Sequence, residues 1–255
     1  MADISLLSPL RPLSASRLAA FRRCETLFLL DEEREETAAQ LVGKAAHCLI
    51  LEGRAEYERR FVADGPINEK TGKPYGIDTK ACQDWIAMHG KAVLGAQNAT
   101  LVEAMERSVK GHVEAARLLD WSGSPEFWIE AKVAGLDCHG RLDFVTANLE
   151  IVDLKTCADL DSFESDARRH GYAHQLAFYR SLLAAKECVG ELEIQCWIVA
   201  VEKAQPYRCG VWRIGQGVLG QAQAENFEAM QRLKLCWSLK DFRTGVAEVR
   251  EFDFI

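Results

Sequence analysis

The sequence predicts a mixed α/β fold: a central β-sheet carrying helices, preceded by a helical amino-terminal third. Three observations carry this. Residues 14–120 read as a succession of helices around one loop rich in glycine and proline. From Glu126 to Thr156 the pattern changes to short β-rich runs separated by turn residues. Beyond that, helical and strand-like segments alternate to the carboxy-terminal part.

Taken in order, Ser14-Ala15-Ser16 caps a helix over Arg17–Leu30, with Leu18, Phe21, Leu27 and Phe28 as its apolar face. Asp31–Glu36 is an acidic surface run. Thr37 opens a helix over Ala38–Glu52, which Gly53 ends. Asp64–Asp78 holds Gly65, Pro66, Gly72, Pro74 and Gly76, so it is expected to be a loop and the best place for a mobile segment. Helices over Thr79–Ala96 and Thr100–Asp120 follow, divided by polar Gln97-Asn98, and Trp121–Pro125 breaks the second.

The runs Glu126–Val133, Leu136–Thr146 and Glu150–Thr156, with turns at Ala134-Gly135 and Ala147-Asn148, predict an antiparallel three-strand meander. Tyr172–Glu187 reads as a helix and Leu192–Val201 as a strand. Tyr207–Ile214 is a further strand after the Pro206 turn, and Gly220–Lys240 is the final long helix. Neither an internal repeat nor a linker divides the chain, so residues 1–255 are expected to be a single domain: 1–120 mostly helical, 121–255 holding the sheet.

Lys plus Arg number 31 against 38 Asp plus Glu, a formal net charge of −7 over 255 residues. That excludes a protein that coats nucleic acid by bulk charge, but not an enzyme whose basic residues gather in one cleft. At 27% charged and 48% hydrophobic, the composition is that of an ordinary soluble globular domain. Nine cysteines are scattered singly with no CxxC pair, which argues against a disulfide framework or a zinc ribbon and for a reducing, cytoplasmic setting. The apolar runs fall well short of the roughly 20 residues that span a bilayer, and Met1–Ser16 has no continuous apolar stretch of a secretory signal.

The chemistry concentrates in Gly140-Arg141-Leu142-Asp143 and Ile151-Val152-Asp153-Leu154-Lys155-Thr156. On a strand, Asp153 and Lys155 share a face while Leu154 points into the core. A hairpin turn at Ala147–Leu149 would bring Asp143 beside Asp153. Paired carboxylates repel unless a proton or a divalent cation lies between them. A hard oxygen site of this kind suits Mg²⁺ or Mn²⁺ with several waters retained. A lysine on the same strand could orient or deprotonate a metal-bound water and offset phosphate charge, which together fits phosphodiester hydrolysis.

An Asp-x-Lys pair on a strand also arises by chance as a solvated face. Three features favour chemistry. Asp153 and Lys155 interrupt an otherwise apolar strand, where unpaired charge is expensive. Gly43-Lys44-Ala45-Ala46-His47 sets a lone histidine in an Ala/Leu-rich helix. Gln175 and Tyr179 stand four apart on one helix face.

These elements resemble the PD-(D/E)XK nuclease superfamily, and within it the RecE-type exonucleases (exonuclease VIII) of phages and prophages. The matching residues run in the family's order: Ser14-Ala15-Ser16-Arg17-Leu18, Gly43 with His47, Leu51-Glu52, Glu126-Phe127-Trp128, Gly140-Arg141-Leu142-Asp143, Asp153-Leu154-Lys155-Thr156 and Gln175-Leu176-Ala177-Phe178-Tyr179. Leu142 replaces the proline of the motif's name, a matter of backbone shape rather than chemistry.

The resemblance implies a restriction-endonuclease-like core, a mixed central sheet flanked by helices. It implies that His47, Asp143, Asp153 and the Leu154 carbonyl ligate the metal and that Lys155 is catalytic with Asp143 and Asp153. Either Glu126 or Glu130 would supply a further carboxylate; strand parity puts both on one face. Arg141 would serve the scissile phosphate, and Gln175 and Tyr179 would contact DNA or brace the site. Many RecB-like relatives hold an iron–sulfur cluster through one early cysteine and a late trio. Here Cys24 is followed in the carboxy-terminal part only by Cys209 and Cys236, so no cluster is expected.

Other polar residues have plain alternatives. Arg168-Arg169-His170 reads equally as a phosphate-contacting patch or a solvated basic run. His139, His170 and His174 lie near the motif in sequence, whereas His89 and His112 sit in remote helices. Trp85, Trp121, Trp197, Trp212 and Trp237 are expected in the core or an interface, and Trp128 lies on the strand leading to the site. Tyr75, in the Gly/Pro loop, could wedge against DNA ends.

The resemblance thus implies a cytoplasmic Mg²⁺-dependent exonuclease, with Mn²⁺ as substitute, acting 5′→3′ on double-stranded DNA ends. It would leave 3′ overhangs for a single-strand annealing protein, and form a homo-oligomeric ring, a tetramer as in RecE or a trimer as in lambda exonuclease. The alternatives are a RecB-like nuclease acting on single strands or in phage defence, and a non-catalytic DNA-binding protein retaining the fold.

Overall fold

The computed structural model describes residues 11–30, 37–120 and 122–245; the acidic run at 31–36 and Trp121 lie outside the described residues. The amino-terminal part holds α1 (Ala15–Arg23), α2 (Ala38–His47), α3 (Arg54–Arg60), β1 (Phe61–Val62), β2 (Ile67–Asn68), β3 (Lys73–Pro74), α4 (Lys80–His89), β4 (Ala92–Val93), α5 (Ala96–Gly111) and α6 (Val113–Leu118). The remainder holds β5 (Ser124–Val133), β6 (Leu136–Val145), β7 (Ile151–Cys157), α7 (Phe163–His170), α8 (Tyr172–Glu187), β8 (Cys196–Glu202), β9 (Cys209–Arg213) and α9 (Gln216–Leu239).

Strands β5 to β9 form one sheet in sequence order. The β5–β6, β6–β7 and β8–β9 pairs are antiparallel and the β7–β8 pair is parallel, so the sheet is mixed and the fold is α/β as expected. The parallel step needs a crossover, which α7 and α8 supply. Two apolar cores flank the sheet. One joins Leu18 and Phe21 of α1 with Leu176, Phe178 and Leu182 of α8 and Leu233 of α9. The other joins Val42, Ala45 and Leu49 with Val102 and Met105 of α5, against Val152, Leu154 and Val199. No helix among the described residues is long and apolar enough to cross a membrane.

Several elements differ from the sequence expectation, each for a physical reason. The helix expected over Arg17–Leu30 is cut at Cys24, whose backbone is extended (φ −162°), and a 3₁₀ turn over Glu25–Leu29 follows. That turn aims Phe28 edge-on at Phe21 and Trp237. It also sets Glu25 against the far end of the chain. The Glu25 carboxylate pairs with Arg232 Nε at 3.0 Å and accepts from Arg243 N at 3.0 Å and Cys236 Sγ at 3.6 Å. Thr37 does open α2, through a capping box with Gln40, but the last turn, Cys48–Glu52, is a π-helix ending at Gly53 (φ +91°).

The break expected at Gln97-Asn98 lies earlier, between Gly90 (φ +64°) and Gly95 (φ +80°), where β4 runs. Asn98 is inside α5, its Nδ2 donating to Leu94 O at 3.0 Å. The loop at 64–78 carries the small β2–β3 hairpin, with Ile67 opposite Pro74. Strand β5 begins before Glu126, and Pro125 is tolerated there because β5 is an edge strand. Helix α7 falls where no helix was expected: its sequence is polar and only Phe163 is buried, so it lacks an apolar stripe to read.

The β6–β7 pairing positions the site. It is registered at Val145–Ile151 and Phe144–Val152. On the same edge further along β6, Leu13 takes the place of a strand, donating to Asp137 O and accepting from His139 N. Between these two, β6 and β7 part.

Candidate active site

Asp143 stands where the strands part. Its Oδ2 accepts the backbone N–H of Leu154 at 2.8 Å, satisfying a donor that the ladder no longer serves. A strand residue sends its N–H and C=O to the same edge, so the Leu154 carbonyl also faces the β6 side. Helix α2 brings His47 to this point, with Nδ1 3.6 Å from Asp143 Oδ2. Strand β5 brings Glu126, whose backbone is left-handed (φ +48°) between the regular Pro125–Phe144 and Phe127–Leu142 pairs.

One ligand atom each from His47, Glu126 and Asp143 lie within 4.8 Å of one another. Burial raises the Glu126 pKa, and Asp143 adds to the effect while Arg141 opposes it. Arg141, across the hairpin, holds its Nε 3.1 Å from Glu126 Oε2.

Asp153 stands outside this triad, although the period-two reading rightly set it beside Lys155. It is 1% exposed, with Lys155 Nζ 2.5 Å from Oδ2, and neither oxygen has a hydrogen bond of good geometry. Burial pushes the Asp153 carboxyl up, with Lys155 opposing and Asp143 reinforcing. Burial works against the Lys155 ammonium, but Asp153 and Asp143 outweigh it, so its pKa is raised. Its Nζ also sits 5.0 Å from the centre of the Tyr172 ring. An under-satisfied buried carboxylate beside a His/Glu/Asp triad is a donor set that fits a divalent cation of the oxygen-preferring kind.

Two cavities meet at Arg141. One, of about 650 Å³, contains the triad with Glu52 and Arg60, themselves paired at 2.7 Å. The other, of about 1110 Å³, is lined by Arg17, Arg22, Arg23, Arg141, Arg168 and Arg169, and by no carboxylate among the described residues. Gln175 and Tyr179 also line it, Gln175 Nε2 donating to Tyr179 Oη at 3.2 Å.

The family model for a PDDEXK-like domain of unknown function (DUF3799) matches residues 14–248. The chain belongs to this PDDEXK-like family. Among solved structures, a Eubacterium rectale protein described as a candidate exonuclease matches with a TM-score of 0.65 at 15% identity, over 94% of this chain and 86% of that one. A phage-related exonuclease from Haemophilus somnus 129PT matches over 76% of this chain and 95% of its own, at 14% identity and a TM-score of 0.35. The alkaline exonuclease LHK-Exo from Laribacter hongkongensis matches over 64% and 84%, at 12% identity and a TM-score of 0.30. The first of these likenesses supports the PDDEXK-like fold; the other two are too loose to place residues. No curated protein matches the sequence.

Within the PDDEXK-like fold, the remaining candidates fall as follows. Glu130 is exposed and accepts from Trp128 Nε1 at 3.2 Å, away from the triad. Arg168 and Arg169 lie on α7, Arg169 pairing with Asp166 at 3.1 Å. His89 stacks on Trp85, and His112 caps α6. His174, which lies near the motif in sequence, lines the basic cleft with Arg22, its Nε2 2.6 Å from Arg22 Nη2 and 2.8 Å from Glu225 Oε2. Of the α1 arginines, Arg17 falls within the Ser14–Leu18 element of the resemblance, whereas Arg22 and Arg23 belong to no motif.

Proposed function

We propose that this PDDEXK-like chain is a divalent-metal-dependent deoxyribonuclease, and specifically an exonuclease that degrades linear double-stranded DNA from its ends, 5′→3′, leaving 3′ overhangs for recombination. One observation carries the reading: the His47/Glu126/Asp143 triad, with the Asp153–Lys155 pair behind it, opens at Arg141 onto an arginine-lined cleft in a chain of net charge −7. Only a cleft need be positive for an acidic protein to hold a polyanion. The described function of the Eubacterium rectale relative, which shares the fold, agrees with it.

His47, Glu126 and Asp143 would hold the cation, with Asp153 and the Leu154 carbonyl on its β7 side. When bound, Mg²⁺, or Mn²⁺ in its place, supplies Lewis acidity at a phosphate oxygen and lowers the pKa of water. Lys155, fixed by Asp153, orients the attacking water and offers positive charge to the phosphate. Arg141 holds the scissile phosphate, and Gln175 and Tyr179 brace the strand. Arg168 and Arg169 hold neighbouring phosphates, a term that positions without reading sequence. The partners in this reading are duplex DNA ends, further copies of the chain in a tetrameric or trimeric ring, and a single-strand annealing protein, in the cytoplasm.

End-labelled linear duplex DNA, incubated with Mg²⁺ beside closed circular DNA, tests this. Loss of linear DNA alone, 5′ label first, and a drop of about 10²–10⁴-fold in Lys155→Ala, supports the exonuclease. Cutting of circles would make it an endonuclease, and no metal-dependent cleavage would leave a binding protein.

A further inference from the structure

We propose that Trp128 and His139 form a stacking platform that receives an unpaired base of the nucleic-acid strand entering the site. The proposal rests on the nuclease reading and deepens it by naming the form of the substrate at the point of cleavage.

Trp128 is 54% exposed, unlike an indole serving the core. Its ring lies nearly parallel to His139, with centroids 5.2 Å apart and planes 22° apart. The indole N–H is held by Glu130 Oε1 at 3.2 Å, which fixes the ring's rotation. Two side chains thus preset a flat aromatic surface in water, at low entropic cost to a ligand.

Its position is what assigns a ligand. Trp128 is directly opposite Arg141 in the β5–β6 register, and Arg141 holds Glu126 of the triad. Along β5, Trp128 is two residues from Glu126, roughly 7 Å at the usual rise. Both rings line the arginine cleft. Phe227 and Leu235, exposed apolar residues of α9, line neither cavity. An aromatic face two residues along β5 from a candidate metal ligand, in a cleft that attracts phosphates, matches the combination that holds single-stranded nucleic acid: charge for the backbone, a ring for the base. Stacking needs a free base face, so that base is unpaired, either from a single strand or from the frayed end of a duplex.

The test is binding of labelled oligonucleotides in EDTA, where no cleavage occurs, by wild type, Trp128→Ala and Trp128→Phe. Trp128→Ala is expected to weaken single-strand binding about tenfold, with Trp128→Phe nearer wild type. Replacing the end nucleotides with abasic residues is expected to weaken wild type by a similar factor and Trp128→Ala hardly further. If Trp128→Ala also weakens binding of blunt duplex, the base comes from a frayed end; if not, from a single strand. Unchanged affinity in Trp128→Ala, an equal abasic penalty in both proteins, or a changed assembly mass in the variant would overturn the platform. Wild type that binds no oligonucleotide in EDTA and cleaves none with Mg²⁺ would instead sink the nuclease reading itself.

Discussion

Asp143 Oδ2 and the Leu154 N–H, 2.8 Å apart, close the ladder where β6 and β7 part, so one carboxylate is both a backbone acceptor and a candidate metal ligand. The two roles separate by substitution. Asp143→Asn keeps an acceptor for Leu154 and is expected to stay within about 1 kcal/mol of wild type while losing metal affinity. Asp143→Ala orphans the N–H and is expected to cost about 1–3 kcal/mol more. Urea unfolding and calorimetric Mn²⁺ titration of both variants check this; equal stability would mean the hydrogen bond contributes nothing.

Glu126 and Glu130 share strand parity, but only Glu126 joins the triad. Glu126→Gln is therefore expected to lower Mn²⁺ affinity at least tenfold, and Glu130→Gln by less than about twofold, since removing a ligand matters and removing an exposed charge is screened. The same titration reads both, and the reverse order would move the site.

Gly140 lets α8 approach β6. A Cβ there would lie 2.9 Å from Tyr179 Cε1 and 3.1 Å from Leu182 Cδ1. Gly140→Ala is expected to cost about 1–3 kcal/mol as overpacking, seen as a fall in Tm of several degrees. It should also disturb the Gln175–Tyr179 hydrogen bond lining the cleft. An unchanged Tm would show that α8 yields freely.

Glu202 is expected to make stability depend on pH. Hydrogen bonds from Arg208, then from the Leu160 N–H, draw its carboxyl down to about 2. A folded pKa below the unfolded value of about 4.3 means stabilisation that is full above that value and lost as pH falls toward 2. The urea midpoint of wild type is expected to exceed that of Glu202→Gln at pH 6, with the gap narrowing from pH 4.5 to 2. A constant gap would remove Glu202 from the acid response.

The meander and the Asp153–Lys155 pair were legible because strand alternation is local. What that rule could not tell is that the groups gathered beside this pair would be His47, Glu126 and Asp143; this depends on where α2 packs. The choice between Glu126 and Glu130 turned on a left-handed backbone at Glu126 that no residue type announces. Gln97-Asn98 misled because polar residues sit comfortably on the outer face of a helix, whereas Gly90 adopts the left-handed backbone that ends α4 and Gly95 caps the start of α5. The basic cleft was hidden because its arginines come from α1, β6 and α7, and the Arg22–His174–Glu225 cluster joins residues up to 203 positions apart.

Glu25 gathers Arg232, Cys236 and Arg243 onto the turn that follows α1. During synthesis, therefore, the arginines of α1 emerge first, but their wall of the cleft is not locked until residues 232–243 have left the ribosome. A nascent chain would thus carry the triad residues and Lys155 well before this wall of the arginine cleft has its partners.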